Sequence, residues 1–163
     1  MSEATIRDEG AADRHSVRGV IAAAFGSGAE ADLVERLHGD GDAEIALVAE
    51  EQGRIVGHIL FSRMAAPFRA LGLAPVAVAP ERQRRGIGGA LIRAGLGRAR
   101  EAGWDAVFVL GDPEHYRRFG FSAAAAAPFR CVYSGPHFMA LSLGEALPAA
   151  GEVAYAPAFA ALG

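Results

Sequence analysis

The 163-residue chain is 52% hydrophobic, 21% charged and 8% aromatic, the profile of one ordinary globular domain that can bury roughly 70% of its unfolded surface unaided by metal or disulfides. Its single cysteine, Cys131, excludes an intramolecular disulfide and fits a reducing compartment. Sixteen Lys plus Arg against nineteen Asp plus Glu give a net charge of -3, so no global positive field draws the chain onto nucleic acid or an anionic membrane.

Met1 to Arg14 is acidic and polar with no apolar h-region, and no run of about 18 apolar residues follows it. The expected address is therefore the cytoplasm. Thr5 to Arg7 reads as a short strand, and Asp13 as the cap of a helix whose apolar residues Val17, Val20, Ile21, Ala24 and Phe25 recur at helical spacing until Gly26-Ser27-Gly28. A second amphipathic helix carries Leu33, Val34 and Leu37 on one side and Glu35 and Arg36 on the other, ending at Gly39. The period then changes to that of strands. Ile45 to Ala49 and Ile55 to Phe61 form a hairpin across Glu51-Gln52-Gly53-Arg54, and Leu73 to Ala79, apolar throughout, predicts a strand buried on both faces up to Pro80.

A Gly-rich turn leads into a helix from about Gly86 to Arg100, with Leu91, Ile92, Leu96 and Ala99 inward and Gly103 at its end. Ala106 to Leu110 is a second buried strand. Asp112 as N-cap and Pro113 at the first helical position open a short helix that runs to Phe119 and stops at Gly120. The alanine run Ala123 to Ala127 is too short to predict an element, and Arg130 to Tyr133 and Phe138 to Leu143 are strand candidates. The order β-α-α-β-β-β-α-β-α-β-β predicts an α/β class with a mixed sheet, in one domain over residues 1–163.

The segment from Val76 to Ile92 carries the chemistry. A strand delivers the chain into a turn with Gly86, Gly88 and Gly89, and a helix begins at once, so unpaired N–H groups and the positive end of the helix dipole converge. Glycines let a phosphate approach the backbone, and Arg82, Arg84 and Arg85 add cationic reach. A P-loop is disfavoured by the missing lysine, and a dinucleotide fingerprint by the missing third glycine in Gly86-Ile87-Gly88-Gly89-Ala90-Leu91. Histidines and acidic residues show no ligand spacing, so no metal is expected.

With its preceding apolar strand and Pro80, this segment resembles the acetyl-CoA motif of the GCN5-related N-acetyltransferase (GNAT) superfamily, Gln/Arg-x-x-Gly-x-Gly/Ala, matched by Gln83, Gly86 and Gly88. A second match is Tyr116 four residues before Gly120-Phe121, the spacing of that superfamily's tyrosine helix. The pattern over roughly Thr5 to Leu143, with Val56 to Ser62, Gly111-Asp112-Pro113 and Val153 to Phe159, is similar to a bacterial branch of predicted N-acetyltransferases. The resemblance implies a mixed, mostly antiparallel sheet of six or seven strands flanked by helices, in which the strands at Val76 and Phe108 run parallel and splay apart. Pantetheine would fill the splay along Val76, Ala77 and Val78, with the rest of acetyl-CoA on Gln83, Arg84, Arg85, Gly86, Ile87, Gly88 and Gly89 and beside Asp112 and Phe119. Tyr116 would point at the thioester sulfur. One departure concerns Val109, where many members carry an Asn that contacts the cofactor; Asp112 is a candidate replacement.

The implied reaction is direct acetyl transfer to a primary amine of a small molecule or protein, with a backbone N–H near Val78 as oxyanion donor and Tyr116 as proton donor. No protein nucleophile is needed, so Cys131 reads as a small packing residue. Glu50, Glu51, Asp112 and His115 are candidates for the general base, though each reads more readily as a solvated or capping residue, and a water relay would need none of them. His58 reads as a core or cleft-lining histidine. Phe25 to Gly28 and Tyr133 to His137 are expected on the acceptor side, and the resemblance leaves a homodimer open. Two other functions fit the same loop: an acyl-CoA sensor without turnover, and a nucleotide-binding regulator, the latter weakened by the missing lysine and acidic ribose partner.

Overall fold

The computed structural model describes residues 4–144 and 147–162. β1 (Thr5–Asp8) leads to α1 (Arg14–Phe25) and α2 (Ala29–Gly39), then β2 (Ala43–Glu51), β3 (Arg54–Arg63) and β4 (Ala70–Val78). α3 (Ile87–Glu101) crosses over to β5 (Ala106–Leu110), and α4 (Pro113–Tyr116) continues into a 3-10 turn over Arg117–Phe119. α5 (Ala123–Ala126), β6 (Phe129–Arg130), β7 (Phe138–Ser142) and β8 (Gly151–Glu152) complete the strands and helices. No described helix is long and apolar enough to cross a membrane.

The six-stranded sheet has the order β1-β2-β3-β4-β5-β7, antiparallel except for the β4–β5 pair. Alternation along the strands sends residues to opposite faces. On one face Leu47, Ile59 and Phe61 meet Leu91, Ile92, Leu96 and Ala99 of α3; on the other, Val48 and Leu60 meet Val17, Val20 and Ile21 of α1 and Leu33, Val34 and Leu37 of α2. A third apolar cluster, with Phe108 stacked on Phe138 at 5.3 Å, closes the β5–β7 end. The amphipathic faces expected for the first two helices and for α3 are thus buried as their spacing predicts, except Phe25 at the end of α1, which is 44% exposed.

Several expectations need correction. Asp13 does not cap α1 with its side chain: its carboxylate accepts from Gly10 N–H at 2.7 Å and from both Arg7 terminal nitrogens, having a stronger partner at hand. β4 begins at Ala70, and its later half is half-exposed at Ala74, Val76 and Val78 because no strand covers its outer edge there. The alanine run does form a helical turn, α5, since the Ser122 hydroxyl accepts from Ala125 N–H at 3.1 Å. Of the expected strand at Arg130 to Tyr133, only Arg130 is extended, pairing with Glu152 in a separate two-stranded sheet.

Candidate active site

β4 and β5 pair only through Ala70–Ala106, Leu71–Val107 and Gly72–Phe108, and beyond Gly72 the two strands part. The opened edge of β4 has a definite polarity. Ala79 N–H donates to Val56 O at 2.8 Å, and alternation along the ladder therefore turns the polar groups of Ala77 toward β3 and those of Val76 and Val78 toward the gap. Ala77 is 2% exposed and packs toward α1, so of the three strand residues expected to meet a cofactor it is the one whose backbone faces away.

At the end of that edge the chain turns into α3. Gln83 Nε2 donates to Val78 O at 3.0 Å, tying the turn to the strand. Among the described residues the N–H groups of Arg84 through Gly89 find no backbone acceptor; the first bond of the helix is Ala90 N–H to Gly86 O at 3.0 Å. Gly86 sits at φ +84°, a conformation a side chain would strain. Ile87 contributes only its backbone, because its side chain is buried in the core beneath α3. Among the described residues Arg84 and Arg85 are exposed and form no ion pair. Arg82 differs: rather than facing solvent, its Nε donates to Glu51 Oε1 at 2.6 Å.

Across the gap, β5 delivers the chain to α4. Asp112 caps it, accepting from Glu114 N–H at 3.0 Å. The Tyr116 ring packs edge-on to Phe121 at 5.9 Å, and Phe119 reaches the start of α3, where Arg93 lies over its ring at 5.0 Å. Val76, Val78, Tyr116 and Phe119 all border the same apolar cluster, so the strand edge, the helix start and the tyrosine surround one gap. Burial pushes the Tyr116 hydroxyl above the ordinary phenol range, which keeps its proton on at neutral pH. Val109 is 1% exposed and packs into the core, offering nothing to a ligand.

The candidate bases are all engaged elsewhere. Glu50 accepts from Arg7 at 2.7 Å, Glu51 from Arg82, and His115 Nδ1 from Arg118 at 2.7 Å. Cys131 is half-buried, and its N–H donates to Ser134 Oγ at 3.0 Å. Among the described residues no group of three or more His, Cys, Asp or Glu side chains could hold a metal ion.

Sequence reasoning missed one charged cluster. The fully buried His58 bonds Glu9 Oε1 at 2.8 Å, while His38 Nε2 stands 3.7 Å and Arg14 Nε 3.0 Å from Glu9 Oε2. At 3.7 Å His38 is a charge neighbour rather than a hydrogen-bond partner. Desolvation alone would raise the Glu9 carboxyl, yet His38 and His58 hold it at about 2.

The family model for the acetyltransferase (GNAT) domain matches residues 42–123, which contain the β4 edge, the α3 loop and Tyr116. The chain belongs to the GNAT acetyltransferase family. It is 44% identical over 121 residues to the uncharacterized N-acetyltransferase YjhQ of Escherichia coli K12, covering 69% of this chain and 66% of that protein, just under two thirds of the relative's length. It is 36% identical over 134 residues to the uncharacterized N-acetyltransferase YhbS of the same organism, covering 80% of each. Among solved structures, the GNAT family N-acetyltransferase YhbS from Escherichia coli in complex with CoA superposes with a TM-score of 0.90 at 33% identity, covering 98% of this chain and 93% of that one. A GNAT family acetyltransferase from Brucella melitensis in complex with acetyl-CoA gives 0.83 at 38% identity, covering 96% and 97%. The GNAT sheet, with one parallel pair opening midway, is the fold found here.

Proposed function

We propose that this single-domain chain transfers the acetyl group of acetyl-CoA directly to a primary amine, with Tyr116 as the proton donor. Family membership carries the donor and the reaction class, and the two similar structures hold CoA and acetyl-CoA. The observation that supports the residue roles is the joining, around one gap, of a strand edge with outward amides at Val76 and Val78, a helix start whose N–H groups lack backbone acceptors among the described residues, and a half-buried, protonated tyrosine.

Each part has a task. The amides of Arg84 to Gly89 receive the pyrophosphate, assisted by the helix dipole and by Arg85. The amides of Val76 and Val78 pair with pantetheine as a neighbouring strand would. A neutral amine then attacks the acetyl carbonyl, and an N–H near Val78 stabilises the oxyanion. The C–N bond forms as the C–S bond breaks, Tyr116 gives its proton to the departing thiolate, and the amine's surplus proton leaves to water, since Glu50, Glu51, Asp112 and His115 are committed to other partners. Water then restores the Tyr116 proton.

Calorimetric titration with acetyl-CoA, followed by thiol release in the presence of primary amines, tests this reading. Tight binding with amine-dependent release is expected. Binding without release toward any amine would instead mark an acyl-CoA sensor.

A further inference from the structure

The mouth of the β4–β5 opening holds a cavity of about 200 Å³. Ala74, two residues past the last paired position of β4, and Leu110, the last residue of β5, line it on the strand side. Tyr133, Tyr155, Phe159 and Leu162 enclose it from the C-terminal side. The aromatic walls are ordered among themselves, with Tyr133 edge-on to Tyr155 at 5.6 Å and Phe159 tilted against Tyr155 at 5.1 Å.

Three properties of this cavity bear on what enters it. Among the described residues, none that line it carries a charge. A cationic chain such as a polyamine would find no carboxylate there, and an amino acid no arginine for its carboxylate. Its rim is apolar and open, with Leu110 and Leu162 47% and 41% exposed. Its size exceeds the roughly 150 Å³ that accommodates benzene in an apolar protein cavity. Tyr155 adds a buried hydroxyl with no hydrogen-bond partner among the described residues, in a wall otherwise made of rings and aliphatic groups.

We infer that this cavity is the acceptor site and selects a primary amine with an uncharged aromatic body, an arylalkylamine in chemical class. The inference rests on the proposed acetyl transfer, because the cavity lies where the opened strands would present the thioester. An aromatic guest meets three ring walls in the edge-on and offset geometries that rings prefer, and it covers the exposed leucines at the rim. The amine stays at the mouth, toward Tyr116. The opening of the cavity to solvent favours an entering acceptor over a longer acyl chain carried in from the cofactor side.

The test compares 2-phenylethylamine, ethylamine, spermidine and glycine as acceptors for the full chain with acetyl-CoA, reading thiol release and, separately, coenzyme A affinity by calorimetry. The expected result is a kcat/KM for 2-phenylethylamine at least about tenfold above that of ethylamine, with spermidine and glycine slower than the aryl amine. Leu162→Ala or Tyr133→Leu should shrink the ratio between the two monoamines several-fold through KM, and retained coenzyme A affinity certifies that the variant is folded. Coenzyme A binding with equal use of the two monoamines, with preference for spermidine or glycine, or with no amine accepted overturns the acceptor assignment and leaves the cofactor reading standing. Hexanoyl-CoA outrunning acetyl-CoA with no aryl preference gives the cavity to the acyl chain and overturns it too. Failure to bind coenzyme A overturns the proposed function and the inference with it.

Discussion

The ring of Tyr116 lies directly against the backbone of Gly111: a Cβ at position 111 would come 2.6 Å from Cε2 and 3.1 Å from Cδ2. Only a residue without a side chain leaves the ring where it is, so Gly111 sets the position of the phenol. Gly111→Ala must push the ring aside, and a displacement near 1 Å can cost about 10²-fold in rate. The expected outcome is a loss of kcat of that order with coenzyme A affinity largely kept, read by steady-state kinetics beside calorimetry.

Tyr116→Phe keeps the ring and its contact with Phe121 but removes the acid. Turnover should fall by about 10²- to 10⁴-fold or somewhat less, because water can reach an open thioester, while Tm and cofactor affinity hold. Because burial raises the hydroxyl, the parent rate should keep climbing with pH as the acceptor amine deprotonates, and should not turn down in the range where an exposed tyrosine ionises. Full activity in the Phe variant would return Tyr116 to a packing role.

At Gly88 an added Cβ would find only Val78 Cγ2, at an ordinary 3.7 Å. Gly88→Ala should therefore fold at least as stably as the parent, gaining up to about 1 kcal/mol of helix propensity, yet bind coenzyme A more weakly because the methyl sits over the amides. Gly88→Trp should abolish binding. Thermal melting and calorimetry on the two variants separate the effects, and unchanged affinity in the Trp protein would place the phosphates elsewhere.

Arg85 and Arg82 should respond differently. Charge-assisted bonds to phosphate contribute about 1.5 to 3 kcal/mol, so Arg85→Ala should weaken coenzyme A binding roughly tenfold or more. Arg82 is held by Glu51 at a partly exposed site, and Arg82→Ala should change affinity little. Equal losses in the two titrations would contradict this division.

Glu9 contributes to acid stability. Its carboxyl lies at about 2 in the folded chain against 4.5 as a free side chain, so its contribution is complete above 4.5 and drains away as pH falls toward 2. That contribution is on the order of 3 kcal/mol. Glu9→Gln should lower Tm at neutral pH and make the decline between pH 4.5 and 2 shallower, leaving the part carried by Asp13, whose carboxyl Arg7 also holds at about 2. A variant that melts like the parent at neutral pH would show that the His58 contact carries no stability.

Local pattern alone determined much of this protein. Helical spacing in Val17 to Phe25 and Leu91 to Ala99, the Gly53 hairpin, and Gln83-x-x-Gly86-x-Gly88 after an apolar strand are each written within a few neighbouring residues, and each element formed where its spacing put it. The same locality made Tyr116 and the capping Asp112 visible as a pair. What only the tertiary structure decided are the relations between residues far apart in the chain. The length of the β4–β5 pairing, and hence the gap, depends on how two strands separated by α3 diverge. The strand signal at Arg130 to Tyr133 did not reveal its partner, because β6 pairs with Gly151–Glu152, more than twenty residues further on. Glu51 is claimed by Arg82, Glu50 by Arg7 and His58 by Glu9, so which carboxylates are free for chemistry is a matter of long-range charge pairing. The cavity draws on β4, β5 and the C-terminal segment together. Periodicity reports which face of an element is buried; it carries no record of what that face, or an edge left open, will meet.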